Sequence, residues 1–148
     1  MNITSNAIQA NDEILPEYTC DGKNISPSLT FSEIPDGAKS LMLMLEDPDA
    51  PNGIFTHWML YDLSPATLQL VEGQPALTGK TGTNDFGNQG YGGPCPPAGM
   101  QHRYFFRLYA LDTTLDLPEG ATRQTVLDAM AGHEIASAEL MGTYTKVQ

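Results

Sequence analysis

The chain has 148 residues, with a hydrophobic fraction of 41% and a charged fraction of 17%, which excludes a disordered chain and suits one domain over residues 1–148. Its 18 acidic residues outnumber 7 basic ones, and the resulting net charge of -11 argues against nucleic acid or an anionic membrane as a partner. Its 14 glycines and 11 prolines indicate many turns, which favour a β or mixed fold over a helical bundle.

The N-terminal segment has neither the basic region nor the apolar stretch of a signal peptide, and no apolar run is long enough to span a bilayer. We therefore expect a cytoplasmic protein. In that compartment Cys20 and Cys95 are expected to be reduced thiols, and their spacing matches no zinc motif. A disulfide between them stays open, because the sequence does not say whether the two loops meet.

The first strong strand signal covers Ser40–Glu46. Its leucines occupy the odd positions and its methionines the even positions, so both faces of the strand are apolar. Such a pattern predicts a central strand that is covered on both sides. Turn-forming residues at 47–53 end the strand.

The second predicted strand is Thr56–Leu63. Simple alternation places His57 on one face with Met59, and Trp58 on the other face.

The third strong strand is Arg103–Asp112, where Tyr104 has the same parity as the preceding His102. A helix is predicted to begin after the N-cap Thr122 and to stop at Gly132. Weaker strands are predicted at Asn2–Ala10, Leu29–Phe31, Leu68–Glu72 and Glu139–Thr145.

Three groups of polar or turn-forming residues fall at the ends of the strong strands. Asp47 and Asp49 close the first strand, and His57 opens the second. The Gly/Pro-rich loop 92–99 precedes His102 at the start of the third. Taken singly, each group is better explained as a turn or a core residue. If the strands are neighbours, however, all three groups meet at one end of a sheet, where function often lies.

These motifs carry a family resemblance. Asp-Pro-Asp-Ala-Pro at 47–51, followed by His57 and Trp58, resembles the first signature block of the phosphatidylethanolamine-binding protein family. Gly-Pro-Cys-Pro-Pro-Ala-Gly at 93–99, followed by His-Arg-Tyr at 102–104, resembles the second. Short matches at 20–22, 84–87 and 142–144 resemble its bacterial and archaeal branch, often called Raf kinase inhibitor-like.

The resemblance implies a mainly β fold: antiparallel, with Greek-key connections, one large and one small sheet, and short peripheral helices. It implies a cavity for small anions such as phosphate or a phosphoethanolamine head group, a cis peptide bond before Pro51, and a homodimer, although the residues themselves leave the oligomeric state open. We expect no cofactor and no bound metal. Phosphorylated proteins are implied as further partners. By motif match, the cavity residues are Asp47, Asp49, His57, Gly93, Cys95, His102 and Tyr104.

Two departures from eukaryotic members bear on the ligand. Cys95 stands where many of them have glycine, so the cavity mouth is expected to be narrower. The chain ends soon after Tyr144, without their C-terminal helix, which argues against binding of phospholipid tails.

The chemistry of these residue types suits an anion. Backbone N–H groups of the Gly/Pro loop, the Tyr104 hydroxyl and histidine N–H groups can all donate to phosphate oxygens. The two aspartates are expected to orient the two histidines, and Cys20 is expected to lie outside the pocket. We therefore predict a non-enzymatic anion-binding protein, with a kinase-inhibitor-like role suggested by the family name alone.

The alternative from the same residues is a hydrolase. His57, His102 and the two aspartates could hold a metal, or Cys95 could act as a nucleophile with His102 as its base. The prolines on either side of Cys95 and the lack of a recognisable oxyanion hole disfavour this alternative.

Overall fold

The computed structural model describes residues 1–76 and 78–146. They form two antiparallel β-sheets, one α-helix and one 3-10 turn, so the predicted mainly β class is confirmed. In chain order the elements are β1 (Asn2–Thr4), a 3-10 turn (Pro16–Tyr18), β2 (Leu29–Ser32), β3 (Ser40–Asp47), β4 (Phe55–Leu63), β5 (Gln69–Leu70), β6 (Lys80–Thr81), β7 (Gln101–Leu111), α1 (Arg123–Met130) and β8 (Glu134–Thr145).

The larger sheet has five strands in the order β6-β4-β3-β7-β8, with β3 in the middle. All eight residues of β3 are buried, as its two apolar faces predicted. The odd-numbered leucines pack into one core with Phe106 and Leu108 of β7. The even-numbered methionines pack into a second core with Val126 and Met130 of α1.

Each face of the large sheet is covered by a different element. The smaller sheet, in the order β1-β2-β5, contributes Ile3 and Phe31 to the core on the leucine face. The helix α1 covers the methionine face and begins after Thr122, whose hydroxyl accepts the backbone N–H of Thr125 at 3.3 Å. No helix in the described residues is long and apolar enough to cross a membrane.

A β-bulge in β4 changes the predicted placement of His57. Leu45 of β3 pairs with Trp58 and the next residue pairs with Thr56, so His57 is an extra residue without a partner in the ladder. Its ring contacts Tyr104, with centroids 5.4 Å apart, whereas Met59 lies in the core on the opposite face. The predicted shared face of His57 and Met59 is therefore wrong, because the bulge interrupts the alternation.

The turn after β3 reverses the chain without a cis peptide bond. The Ala50–Pro51 bond is trans, so the predicted cis bond is wrong. Instead, the Asp47 carboxylate accepts the backbone N–H of Asp49 at 2.8 Å, and the N–H of Gly53 donates to the carbonyl of Ala50 at 3.2 Å. Gly53 has a φ of 107°, which glycine adopts readily, and this supplies the tight bend.

Candidate functional site

A cavity of about 680 Å³ opens where β3 and β8 end and β4 and β7 begin. Its volume is in the range of small-molecule sites. Of the predicted site residues, five line it: Asp47, His57, Cys95, His102 and Tyr104. Other lining residues include Asp85 and Phe86, from the short match at 84–87, and Phe55 and Lys146, which no motif singled out.

His102 is fixed by an aspartate from the neighbouring strand. Its Nδ1 donates to Oδ2 of Asp47 at 2.7 Å, and the two side chains are only 3% and 5% exposed. This bond orients the imidazole, since a carboxylate accepts only from a protonated nitrogen. The second ring nitrogen, Nε2, is therefore the one that can serve a ligand.

His57 is fixed by a carbonyl and not by an aspartate. Its Nδ1 donates to the carbonyl oxygen of Gly92 at 2.7 Å, so the neutral ring carries its hydrogen on Nδ1 and accepts at Nε2. Burial lowers the pKa of His57, and this effect exceeds the opposing effects of the Gly92 carbonyl and the Asp47 carboxylate. His57 is thus neutral at physiological pH, and it gains charge only in acid.

Asp49 does not orient a histidine, contrary to the prediction. Its carboxylate accepts hydrogen bonds from the backbone N–H, Nε and Nη2 of Arg103 at 2.9–3.0 Å. The Arg103 hydrogen bonds lower the pKa of Asp49 to about 2. The pair lies outside the cavity lining and instead ties the turn after β3 to the start of β7.

Gly93 serves the packing of the loop. Its N–H donates to Oδ1 of Asn24 at 2.8 Å. This N–H is therefore not available to an anion, contrary to the prediction. A Cβ at this position would collide with the carbonyl oxygen of Tyr18 and with Asn24. Glycine is therefore required here by the close approach of two loops, which also explains why the motif begins with it.

Tyr104 is the buried polar group of the cavity that lacks a partner. Its side chain is fully buried, yet its hydroxyl makes no hydrogen bond of normal geometry to any residue in the described ranges. Burial and, to a lesser degree, the nearby Asp47 carboxylate raise the pKa of Tyr104, so the hydroxyl keeps its proton. The cavity wall thus contains a neutral O–H donor that is free for a ligand.

A disulfide joins Cys20 to Cys95, with the two Cα atoms 5.4 Å apart. The expectation of reduced thiols is therefore wrong. Cys20 does not line the cavity, as expected, but it is bonded to Cys95, which does. The backbone N–H of Cys20 also donates to the carbonyl of Pro94 at 3.1 Å, so the bridge follows from a close approach of the two loops. In this oxidised form Cys95 has no thiolate to act as a nucleophile.

Two aromatic residues complete the wall beside His57. The rings of Phe55 and Phe86 lie 4.8 Å apart, and both contact the His57 imidazole, at 4.8 and 5.4 Å. Phe86 is 46% exposed, so it forms part of the open side of the cavity. Its place in the short motif at 84–87 is the sequence signal for this role.

Within residues 1–76 and 78–146, no three histidine, cysteine, aspartate or glutamate side chains are grouped closely enough to hold a metal ion. The Asp47–His102 pair and His57 are instead arranged for hydrogen bonding.

The fold and the site together define a β-sheet protein with a cavity at the end of its central strands, lined by both polar and apolar residues. The sequence model of the phosphatidylethanolamine-binding protein family matches residues 4–145, and the chain belongs to this family.

Full-length relatives come from both archaea and bacteria. The chain is 47% identical to a UPF0098 protein of Methanothermobacter thermautotrophicus and to one of Chlamydia trachomatis, each over 99% of both chains. A crystal structure of a phosphatidylethanolamine-binding protein homologue from Chlamydia trachomatis matches with a TM-score of 0.92 and 47% identity, covering 98% of this chain and 97% of that one. The E. coli protein YbcL, described as a new member of the mammalian family, matches with a TM-score of 0.91 and 31% identity over 98% of both chains.

Proposed function

We propose that this protein is a non-enzymatic binding protein for a small phosphoryl-bearing anion, such as phosphate or a phosphoethanolamine-like group. Recognition of phosphorylated protein partners through the same group follows from this chemistry. The proposal is carried by one observation: Tyr104 lines the cavity, and its buried hydroxyl makes no hydrogen bond of normal geometry to the residues that the structure describes.

An unpaired buried hydroxyl costs about 1–3 kcal/mol, so a ligand oxygen at this position recovers a real loss. Tyrosine and both histidines converge on one cavity, and each can donate one hydrogen bond when the histidines are protonated. When neutral, the histidine Nε2 atoms can instead accept the O–H of a hydrogen phosphate ion. A hydrogen phosphate ion can both accept from the Tyr104 hydroxyl and donate to a neutral histidine Nε2, whereas a deprotonated carboxylate can only accept. The ion therefore suits these three residues better than a carboxylate does.

The hydrolase alternative receives less support. The cysteine version requires a free Cys95 thiolate, which the disulfide removes. In the part of the chain that the structure describes, the metal version lacks a group of three ligands. We therefore propose that the cavity binds the anion and does not catalyse its hydrolysis.

The test is an NMR titration of ¹⁵N-labelled protein with inorganic phosphate at pH 5.5 and pH 7.5. We expect saturable shifts of residues 92–104. The pH comparison uses sulfate, which keeps its charge, whereas phosphate takes up a proton between these two pH values. Sulfate should bind more tightly at pH 5.5, because a charged histidine donates a hydrogen bond about twice as strong as a neutral one. His102→Asn is the informative variant, since its amide can still donate to Asp47 while the ring Nε2 is lost. It should weaken phosphate binding about fivefold or more.

The matched control is His133→Asn. His133 makes the same kind of bond, from Nδ1 to Asp112 at 2.7 Å, but its side chain is 45% exposed and lies outside the cavity. This variant should bind phosphate like the parent. Absence of shifts around the cavity in the parent, or equal binding by the parent and His102→Asn, would overturn the proposal.

A further inference from the structure

From this structure we infer that Lys146 makes the cavity select dianionic, terminal phosphoryl groups over monoanionic phosphodiesters. This inference rests on the proposed function and narrows its ligand to free phosphate or a phosphomonoester. The residue lies outside both signature motifs of the sequence.

Lys146 reaches the cavity because of strand register. Tyr144 pairs with His102 across β7 and β8, so the two side chains share a face of the sheet. Lys146 follows two residues later and therefore points to that same face, where it joins His102 and Tyr104 in the cavity wall.

Lys146 is held in place through both its side chain and its backbone. Its Nζ donates to Oδ1 of Asp21 at 2.8 Å, while the other oxygen of Asp21 accepts the hydroxyl of Tyr144 at 2.5 Å. The backbone carbonyl of Lys146 accepts the N–H of Gly99 at 3.2 Å, on the loop that forms the opposite wall. Lys146 is 32% exposed and Asp21 is 16% exposed, so this is a partly buried, positioned cation and not a freely moving surface lysine.

The charges of the wall show why this cation matters. Among the lining side chains in the described ranges, Lys146 alone carries a permanent positive charge, whereas Asp47 and Asp85 are both acidic. Asp47 is bonded to His102, and Asp85 accepts the backbone N–H of Thr56 at 2.7 Å. An ammonium group has three donors, so two remain for a ligand after the bond to Asp21.

The second negative charge of a dianion is offset by a permanent positive charge only if it lies beside Lys146. A phosphomonoester carries a charge of about -1.5 to -2 at neutral pH, and a phosphodiester carries one negative charge. Tyr104 can donate to either group. The neutral histidines use their Nδ1–H groups within the protein and only accept at Nε2, so they donate to neither group. None of these residues offsets the repulsion that the extra charge meets from Asp47 and Asp85. Removing the cation should therefore lower affinity for a dianion far more than for a monoanion of the same shape.

The test compares sulfate with methanesulfonate, a tetrahedral monoanion, by calorimetry or NMR at pH 6.0, where both probes keep their charge. The parent should bind sulfate about five- to tenfold more tightly than methanesulfonate. This preference is smaller than a fully buried charge-assisted hydrogen bond would give, because Lys146 is partly exposed. Lys146→Gln should bring the two affinities to within about twofold, and Lys146→Arg should keep the preference. Lys80→Gln is the control, since Lys80 bonds the carbonyl of Leu117 at 2.7 Å away from the cavity.

A second pair of probes distinguishes the source of the phosphoryl group. O-phosphoethanolamine is a monoester and glycerophosphoethanolamine is the diester with the same amine, and the parent should prefer the monoester through Lys146. If the parent prefers neither dianion, or if Lys146→Gln keeps the preference, the inference fails while the proposed function stands. If the parent binds none of the four anions, the proposed function itself fails.

Discussion

Replacing Tyr104 by phenylalanine should have opposite effects on the stability of the ligand-free protein and on anion binding. The hydroxyl is fully buried and unpaired in the described structure, so folding removes its bonds to water without replacing them. Deleting such a group recovers part of a penalty of about 1–3 kcal/mol. Tyr104→Phe should therefore leave the free energy of unfolding unchanged or raise it by about 1 kcal/mol, while weakening phosphate binding about fivefold.

Tyr61 provides the matched comparison for this variant. It is also fully buried, but its hydroxyl donates to the carbonyl of Pro118 at 2.5 Å and accepts the N–H of Ala121 at 3.2 Å. Tyr61→Phe should lower the free energy of unfolding by about 1–2 kcal/mol and leave phosphate binding unchanged. Urea unfolding and phosphate titration of both variants decide the matter. Equal destabilisation by the two substitutions would mean that the Tyr104 hydroxyl is bonded within the protein, and the reasoning would be refuted.

Three further predictions concern the surroundings of the cavity. Gly93→Ala should lower the free energy of unfolding, measured in urea, by about 1–3 kcal/mol, because the new Cβ collides with the backbone of Tyr18. Gly37→Ala should be nearly neutral, since its Cβ makes only an ordinary contact of 3.7 Å with the Ile135 side chain, and equal effects of the two variants would contradict this. Replacing Cys20 and Cys95 together by serine should lower the free energy of unfolding, measured in urea, by about 4–5 kcal/mol, since the bridge spans 75 residues. A decrease of less than 1 kcal/mol would contradict this and show that the bridge adds little stability. Because burial lowers the pKa of His57, the unfolded chain binds a proton at this residue more readily than the folded protein does. The free energy of unfolding should therefore fall as the pH drops below about 6.5, and His57→Gln should reduce this fall. An unchanged fall in His57→Gln would refute this cause.

The sequence predicted the central elements because their pattern is local. Alternating apolar residues in β3 are visible in the chain itself, and both faces are indeed buried. The start of α1 could be predicted from Thr122 for the same reason. The sequence placed three candidate residues at the ends of predicted strands: Asp47, His57 and His102. They were expected to meet only if those strands are neighbours, and in the structure β4, β3 and β7 are adjacent.

What could not be predicted depends on pairing between distant segments. The bulge that turns His57 toward Tyr104 arises from the register between β3 and β4, which alternation along one strand does not reveal. The bond between Asp49 and Arg103 and the disulfide both depend on which loops approach each other. Lys146 was within reach of sequence reasoning, since it shares the parity of Tyr144 on β8, but no motif drew attention to it.

The most direct measurement of the central claim is a crystal structure of the protein grown with O-phosphoethanolamine. We expect a phosphoryl group in the cavity, with one oxygen within hydrogen-bond distance of the Tyr104 hydroxyl and another near Nε2 of His102. A phosphoryl group bound elsewhere, or a cavity that holds only solvent at saturating ligand, would contradict it.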